Sequence, residues 1–164
     1  GGRNMLPMKT LIGLFEKAGC SDVKTYIQSG NVVFSASPDL AKRMSVVIEK
    51  EIERRFRISV PVVIRSSEDI HAVVNGNPFL KAGVDPARLH VVFLADAPTA
   101  KQAEILDPNR SPGDSFEVRG GEIFLSLTSA AKTKITNAWL DSKLKTVSTA
   151  RNWRTVLKLH DLLS

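Results

Sequence analysis

The chain has 164 residues, 43% hydrophobic and 24% charged, with 10 Gly and 8 Pro; this is the composition of one globular domain or two small ones, and it excludes collagen-like and low-complexity chains. A single cysteine, Cys20, rules out an intrachain disulfide and points to an intracellular, cytoplasmic setting. The formal charge of +6 on an otherwise ordinary composition raises the question of an acidic partner.

From the N-terminus, Pro7 suits a first helical turn, and Met8, Leu11, Ile12, Phe15 and Ala18 follow at helical spacing until Gly19. Val23, Thr25 and Ile27 alternate with polar residues, Ser29-Gly30 turns the chain, and Val32-Val33-Phe34 continues it, which predicts a β-hairpin. Between Pro38 and Phe56, Leu40, Met44, Val47, Ile48, Ile52 and Phe56 share one side of a long surface helix. Val60 to Ile64 is rich in β-branched residues and is predicted as a strand.

Ser66-Ser67-Glu68-Asp69 opens a short helix running to Val74, since a Ser cap accepts an amide hydrogen bond and acids favour the positive end of the helix dipole. Asn75-Gly76-Asn77-Pro78, Gly83 and Pro86 then mark a connector. Beyond it come a strand over Leu89 to Ala95, a helix from near Thr99 to Asp107-Pro108, and a hairpin in which Phe116 and Val118 lead through Gly120-Gly121 to Ile123, Leu125 and Leu127. Ile135, Ala138, Trp139 and Ser142 trace a further helix, Thr146 to Ser148 a short strand, and Asn152 to Leu163 a final helix.

Shifting the chain by 91 residues lays Gly30 on Gly121, Val32 on Ile123, Phe34 on Leu125 and Ile27 on Val118, which suggests a duplicated unit. The second half spells the β-α-β-β-α-β order of a ferredoxin-like motif, and the first half spells it without the opening strand. The predicted fold is therefore α+β, two ferredoxin-like halves in tandem plus a C-terminal helix. The first half is 1–65, the connector 66–87, and the second half 88–164. Because the opening strand of such a motif lies inside the sheet, a strand upstream of Gly1 is expected. The longest apolar runs are one strand long, too short to cross a membrane, and the N-terminus has no apolar signal core.

Three segments resemble the bacterial domain of unknown function 1697 family: Arg3-Asn4-Met5-Leu6-Pro7-Met8, Thr25-Tyr26-Ile27-Gln28-Ser29-Gly30-Asn31-Val32-Val33-Phe34, and the run from Thr149 to Leu159 that contains Arg151-Asn152-Trp153-Arg154. The resemblance implies an opening strand that ends in a Gly-Gly pair, here Gly1-Gly2, and a Ser-Lys that stands here as Thr133-Lys134. It implies a fold and no mechanism.

No catalytic residue, metal ligand set or cofactor motif emerges. His71, His90 and His160 are scattered, and no phosphate loop, dinucleotide fingerprint or nucleophile elbow occurs. Two sets of candidate residues remain. Arg3, Asn4, Tyr26, Gln28, Ser29, Asn31, Arg151 and Asn152 are polar groups suited to a small ligand, although turn chemistry alone explains Ser29 and Asn31 and helix capping explains Asn152. Lys132, Lys134, Arg151 and Arg154 suit an anion. They belong to the stretch from Lys132 to Lys158, which holds seven basic residues against Asp141 alone and leaves the rest of the chain neutral. Three functions stay open: a non-enzymatic module for a nucleic-acid or phosphorylated partner, a small-ligand protein or enzyme with a cleft between the halves, and an interaction scaffold using an unpaired sheet edge.

Overall fold

The computed structural model describes residues 6–26 and 30–164, which divide at Ile64 and Arg65 into two compact units. In the first, α1 (Met8–Lys17) follows Pro7 and buries Leu11, Leu14 and Phe15. Gly19 reverses the chain at φ 111°, a left-handed conformation that glycine adopts at little cost. Strands β1 (Ser21–Tyr26) and β2 (Asn31–Ser35) pair antiparallel, with Thr25 opposite Val32 and Tyr26 opposite Asn31. Helix α2 (Pro38–Phe56) is capped by Ser37, whose hydroxyl accepts from Leu40 N at 3.2 Å. It contributes Met44, Ile48 and Ile52 to a core shared with Leu11, Leu14, Phe15 and Cys20. The Cys20 thiol lies against Met44 Sδ at 3.7 Å, and burial pushes its pKa up, as suits an inert packing residue.

The predicted strand Val60–Ile64 does not form. Residues 57–66 carry no regular secondary structure, although Ile58, Val60, Val62 and Ile64 pack against the first core. The β-branched pattern encoded burial correctly, but a strand also needs a hydrogen-bonded neighbour. The backbone finds a side chain instead: Val62 N donates to the Glu49 carboxylate at 2.9 Å, and Pro61 has no N–H to offer.

The second unit begins with α3 (Ser67–Asn75), opened by a capping box in which Ser66 and Asp69 satisfy each other's amides. A short α4 (Pro78–Lys81), capped by Asn77, and a single 3-10 turn (Pro86–Arg88) follow, so that 66–87 belongs to this unit. Then come β3 (Leu89–Leu94), α5 (Ala100–Glu104), β4 (Ser115–Arg119), β5 (Glu122–Ser126), α6 (Asn137–Leu144), β6 (Ser148–Asn152) and α7 (Trp153–Leu163). The sheet order is β4-β5-β3-β6, every neighbouring pair antiparallel. The β4–β5 turn is the two residues Gly120-Gly121, with Gly120 at φ 57° as the first position of a tight II′ hairpin requires.

One side of this sheet and the helix α6 enclose a core of Val92, Leu94, Leu106, Ile123, Leu125, Leu127, Ile135, Leu140 and Leu144, with Trp139 and Ala150 at its margin. The predicted stripe of α6 is thereby corrected, since Ala138 and Ser142 are exposed. Thr136 caps the helix, so Ile135 precedes it and the helical phase is set by Leu140 and Leu144. The predicted strand at Thr146–Ser148 lies instead at Ser148–Asn152. Its sequence is poor in β-branched residues, and pairing to the buried β3 along its whole length overrides that propensity. The structure is thus α+β with two sheets. No helix among the described residues is long and apolar enough to cross a membrane.

Candidate functional site

Of the residues predicted for a small ligand, Arg3, Asn4, Gln28 and Ser29 lie outside the described residues. Tyr26 ends β1, and its carbonyl accepts from Asn31 Nδ2 at 3.1 Å, so the buried Asn31 clamps the hairpin. Arg151 and Asn152 end β6, in the second unit. Arg151 is half-buried; its Nη1 donates to Thr149 Oγ1 at 2.6 Å and to the Ala150 carbonyl at 2.8 Å, and burial lowers its pKa from the usual guanidinium value. Asn152 caps α7 through Oδ1, which accepts from Thr155 N at 2.9 Å. Asn152→Ala should therefore destabilise the protein by about 1 kcal/mol, the ordinary worth of such a cap. A thermal or urea unfolding midpoint unchanged from wild type would contradict this assignment.

The basic stretch separates into parts. Lys132 and Lys134 are exposed on the loop before α6, and Lys143 and Lys145 are exposed where α6 ends. Arg154 and Lys158 are exposed one turn apart on α7, whose buried Trp153 and Val156 lie outside the α6 core. Among the described residues none of these six forms an ion pair. The acid within the stretch, Asp141, is engaged by Ser148, whose hydroxyl donates to it at 2.5 Å while accepting from Asn137 Nδ2 at 2.8 Å.

A buried network fixes the loop that carries Lys132 and Lys134. The Asp114 carboxylate accepts from Ser111 Oγ at 2.7 Å, from Thr128 N at 2.8 Å and from Thr128 Oγ1 at 3.0 Å. Ser111 Oγ in turn accepts from Lys134 N at 3.1 Å. From the outside, Arg110 Nε donates to the Lys134 carbonyl at 3.3 Å, and its guanidinium lies 5.2 Å from the centre of the Trp139 ring. Burial disfavours the charged form of Asp114, but the Thr128 amide and the hydroxyls of Ser111, Thr133 and Thr128 outweigh it and hold the carboxyl below its usual range. In the sequence, Ser111-Pro112-Gly113-Asp114 reads as no more than a loop. The available signal was Ser111 and Asp114 at the two ends of a four-residue turn with Pro and Gly between them, but nothing local pointed to Thr128 or Lys134 as partners.

The fold and this site define a small α+β protein whose second unit presents exposed lysines, none of them in an ion pair among the described residues, on either side of α6. No group of three or more His, Cys, Asp or Glu converges among the described residues. The chain belongs to the DUF1697 family of proteins of unknown function, whose model matches residues 1–124. The last resembling segment, Thr149 to Leu159, lies beyond the matched residues. The structure of the conserved bacterial protein SP0830 from Streptococcus pneumoniae is similar, with a TM-score of 0.75 at 23% identity, covering 100% of this chain and 92% of that one. That likeness concerns the fold. No curated protein matches the chain.

Proposed function

We propose that the protein is a non-enzymatic binding module for a phosphate-bearing polyanion, nucleic acid being the fitting class, held by Lys132, Lys134, Lys143 and Lys145. The observation that carries this reading is the Asp114 network, which anchors the backbone of the loop carrying Lys132 and Lys134 at Thr128 and Lys134, while neither lysine forms an ion pair among the described residues. Two further lysines stand at the other end of α6, and a helix of 8 residues is about 12 Å long. That span exceeds a single phosphate and suits a chain of them. Trp139 and Phe116, the aromatic residues on this side, pack against the α6 core, which favours contact with the backbone rather than stacked bases.

Fluorescence anisotropy with short RNA and DNA at two salt concentrations tests this. Four phosphate contacts predict a slope of log affinity against log salt of roughly −3 for a single strand. Charge reversal of the loop lysines, K132E with K134E, should halve that slope, whereas R154E should leave it nearly unchanged. Absence of binding at low salt would overturn the reading.

We infer also that the two units are copies of one ferredoxin-like unit, the first without a counterpart of β3 among its described residues. The order β4-β5-β3-β6, with β3 between β5 and β6, supports this for the second unit. In the first, β2 and β5 stand 91 residues apart from end to end, and a helix follows each. The offset does not hold for the preceding strands, because Thr25 faces Val32 while Val118 faces Ile123. The first hairpin therefore has a loop two residues longer. A superposition of 31–56 on 122–144 that failed to bring both strand and helix together would refute the duplication.

A further inference from the structure

The histidines are scattered along the sequence, yet α3 and α7 bring two of them together. His71 Nδ1 lies 3.1 Å from His160 Nε2, across 89 positions of sequence, and the two rings are stacked with centroids 5.3 Å apart. One turn beyond His71 on α3, Asn75 Nδ2 lies 3.1 Å from His71 Nε2 and donates to the His71 carbonyl at 3.0 Å. We propose that His71 and His160 form a two-imidazole site for a late first-row divalent cation, zinc or copper, which ties α3 to α7.

The separation of the nitrogens carries this assignment. Two nitrogens each about 2.0–2.1 Å from one ion stand roughly 2.9 Å apart when they subtend a right angle at it and roughly 3.3 Å apart at the tetrahedral angle. The observed 3.1 Å falls between these values, so the helices need hardly move to accept an ion. Neutral imidazole is a ligand for zinc, copper and nickel and a poor one for magnesium, which selects the class of metal. Asn75 then takes the place of the outer partner that metal-binding histidines use to hold their orientation. Donation from Asn75 to Nε2 puts the ring proton of His71 on Nδ1, where it bridges to His160. When an ion replaces that proton at Nδ1, the neutral ring carries its proton on Nε2 instead, and the Asn75 amide turns its oxygen to accept it. His71 is exposed and His160 half-buried, so water can complete the coordination. The site makes no use of the lysines of the α6 side.

Isothermal titration of tag-free, metal-stripped protein with zinc chloride and copper chloride, with magnesium chloride as control, tests the proposal. Saturable binding of one zinc or copper ion per chain is expected, with a rise in melting temperature that magnesium does not produce. H71A and H160A should each weaken binding by more than about tenfold, since losing even an outer partner costs roughly 10–100-fold. H71Q and H160Q, which keep a polar side chain on each helix, should show the same loss while melting near the wild-type temperature without metal. N75D should bind more tightly. Absence of saturable binding of either ion at millimolar concentration would overturn the site, as would His71 and His160 variants that bind as tightly as wild type.

Discussion

Arg65→Ala should destabilise the second unit by about 2 kcal/mol, between the cost of breaking an exposed ion pair and that of breaking a buried one. Arg65 is the first residue of that unit, and its side chain is only 16% exposed. Its Nε bonds Glu122 Oε2 at 2.8 Å, while Nη2 donates to the Leu94 carbonyl at 2.8 Å and to the Gly121 carbonyl at 2.9 Å. The guanidinium also lies 5.6 Å from the centre of the Phe93 ring. The β3–β5 register ends with Phe93 opposite Glu122 and one further backbone bond, Leu94 N to the Gly121 carbonyl at 2.9 Å, and one planar cation binds both carbonyls at that end of the sheet. Truncation leaves the Glu122 carboxylate without its counter-ion and removes one donor from the Leu94 carbonyl and one from the Gly121 carbonyl, which keeps its bond from Leu94 N at 2.9 Å. Gly121 belongs to the same arrangement, since a Cβ there would come within 3.1 Å of Arg65 Nη2. Urea unfolding measures the loss. R65M combined with E122L should recover most of it, because a well-packed apolar pair of similar volume can replace a buried ion pair. A midpoint for R65A within about 0.5 kcal/mol of wild type would show that the network adds nothing beyond its surface contacts.

What the sequence disclosed follows from the range of each signal. Helix α2 is legible from Pro38 to Phe56, since the apolar spacing of Met44, Ile48 and Ile52 is local, and the Ser37 cap adds to it in the structure. The Gly120-Gly121 hairpin and the caps at Ser66 and Asn152 were legible for the same reason. Val60–Ile64 and Ser148–Asn152 went the other way. The first has strand composition and no pairing, and the second has little strand composition and pairs throughout, because a ladder is decided by the neighbour and the neighbour is distant in sequence.

The site shows the same division more sharply. The excess of lysine between Lys132 and Lys158 could be counted from the sequence, yet its partition between α6 and α7 could not, because that depends on which core each helix buries. His71 and His160, Arg65 and Glu122, and Asp114 and Thr128 are pairs whose members look ordinary where they stand. Periodicity locates elements, and only packing creates such pairs.

Asp114→Ala should cost about 3 kcal/mol, and Asp114→Asn about 1–2 kcal/mol, on the usual scale for buried hydrogen-bonding groups left without partners. Alanine strips the acceptor from the Thr128 amide and from the hydroxyls of Thr128 and Ser111 at once. Asparagine keeps one oxygen for Thr128 but turns an amide donor toward Ser111 Oγ, which already accepts from Lys134 N. The two variants differ from wild type in a way that pH exposes. The carboxyl is held below its usual range in the folded protein. Its contribution is therefore complete above the unfolded value of about 3.9 and disappears as pH falls through the lower folded value. The stability gap between wild type and D114N should be full at pH 7 and shrink steadily below about pH 4. A gap of the same size in urea titrations at pH 7 and pH 2.5 would show that the charge is not its source. Because Ser111 passes this bond on to the backbone of Lys134, D114N should also weaken anion binding at pH 7 while every lysine remains in place. The charge of Lys132 and Lys134 attracts the partner, and a buried carboxylate of the opposite sign decides where that charge is presented.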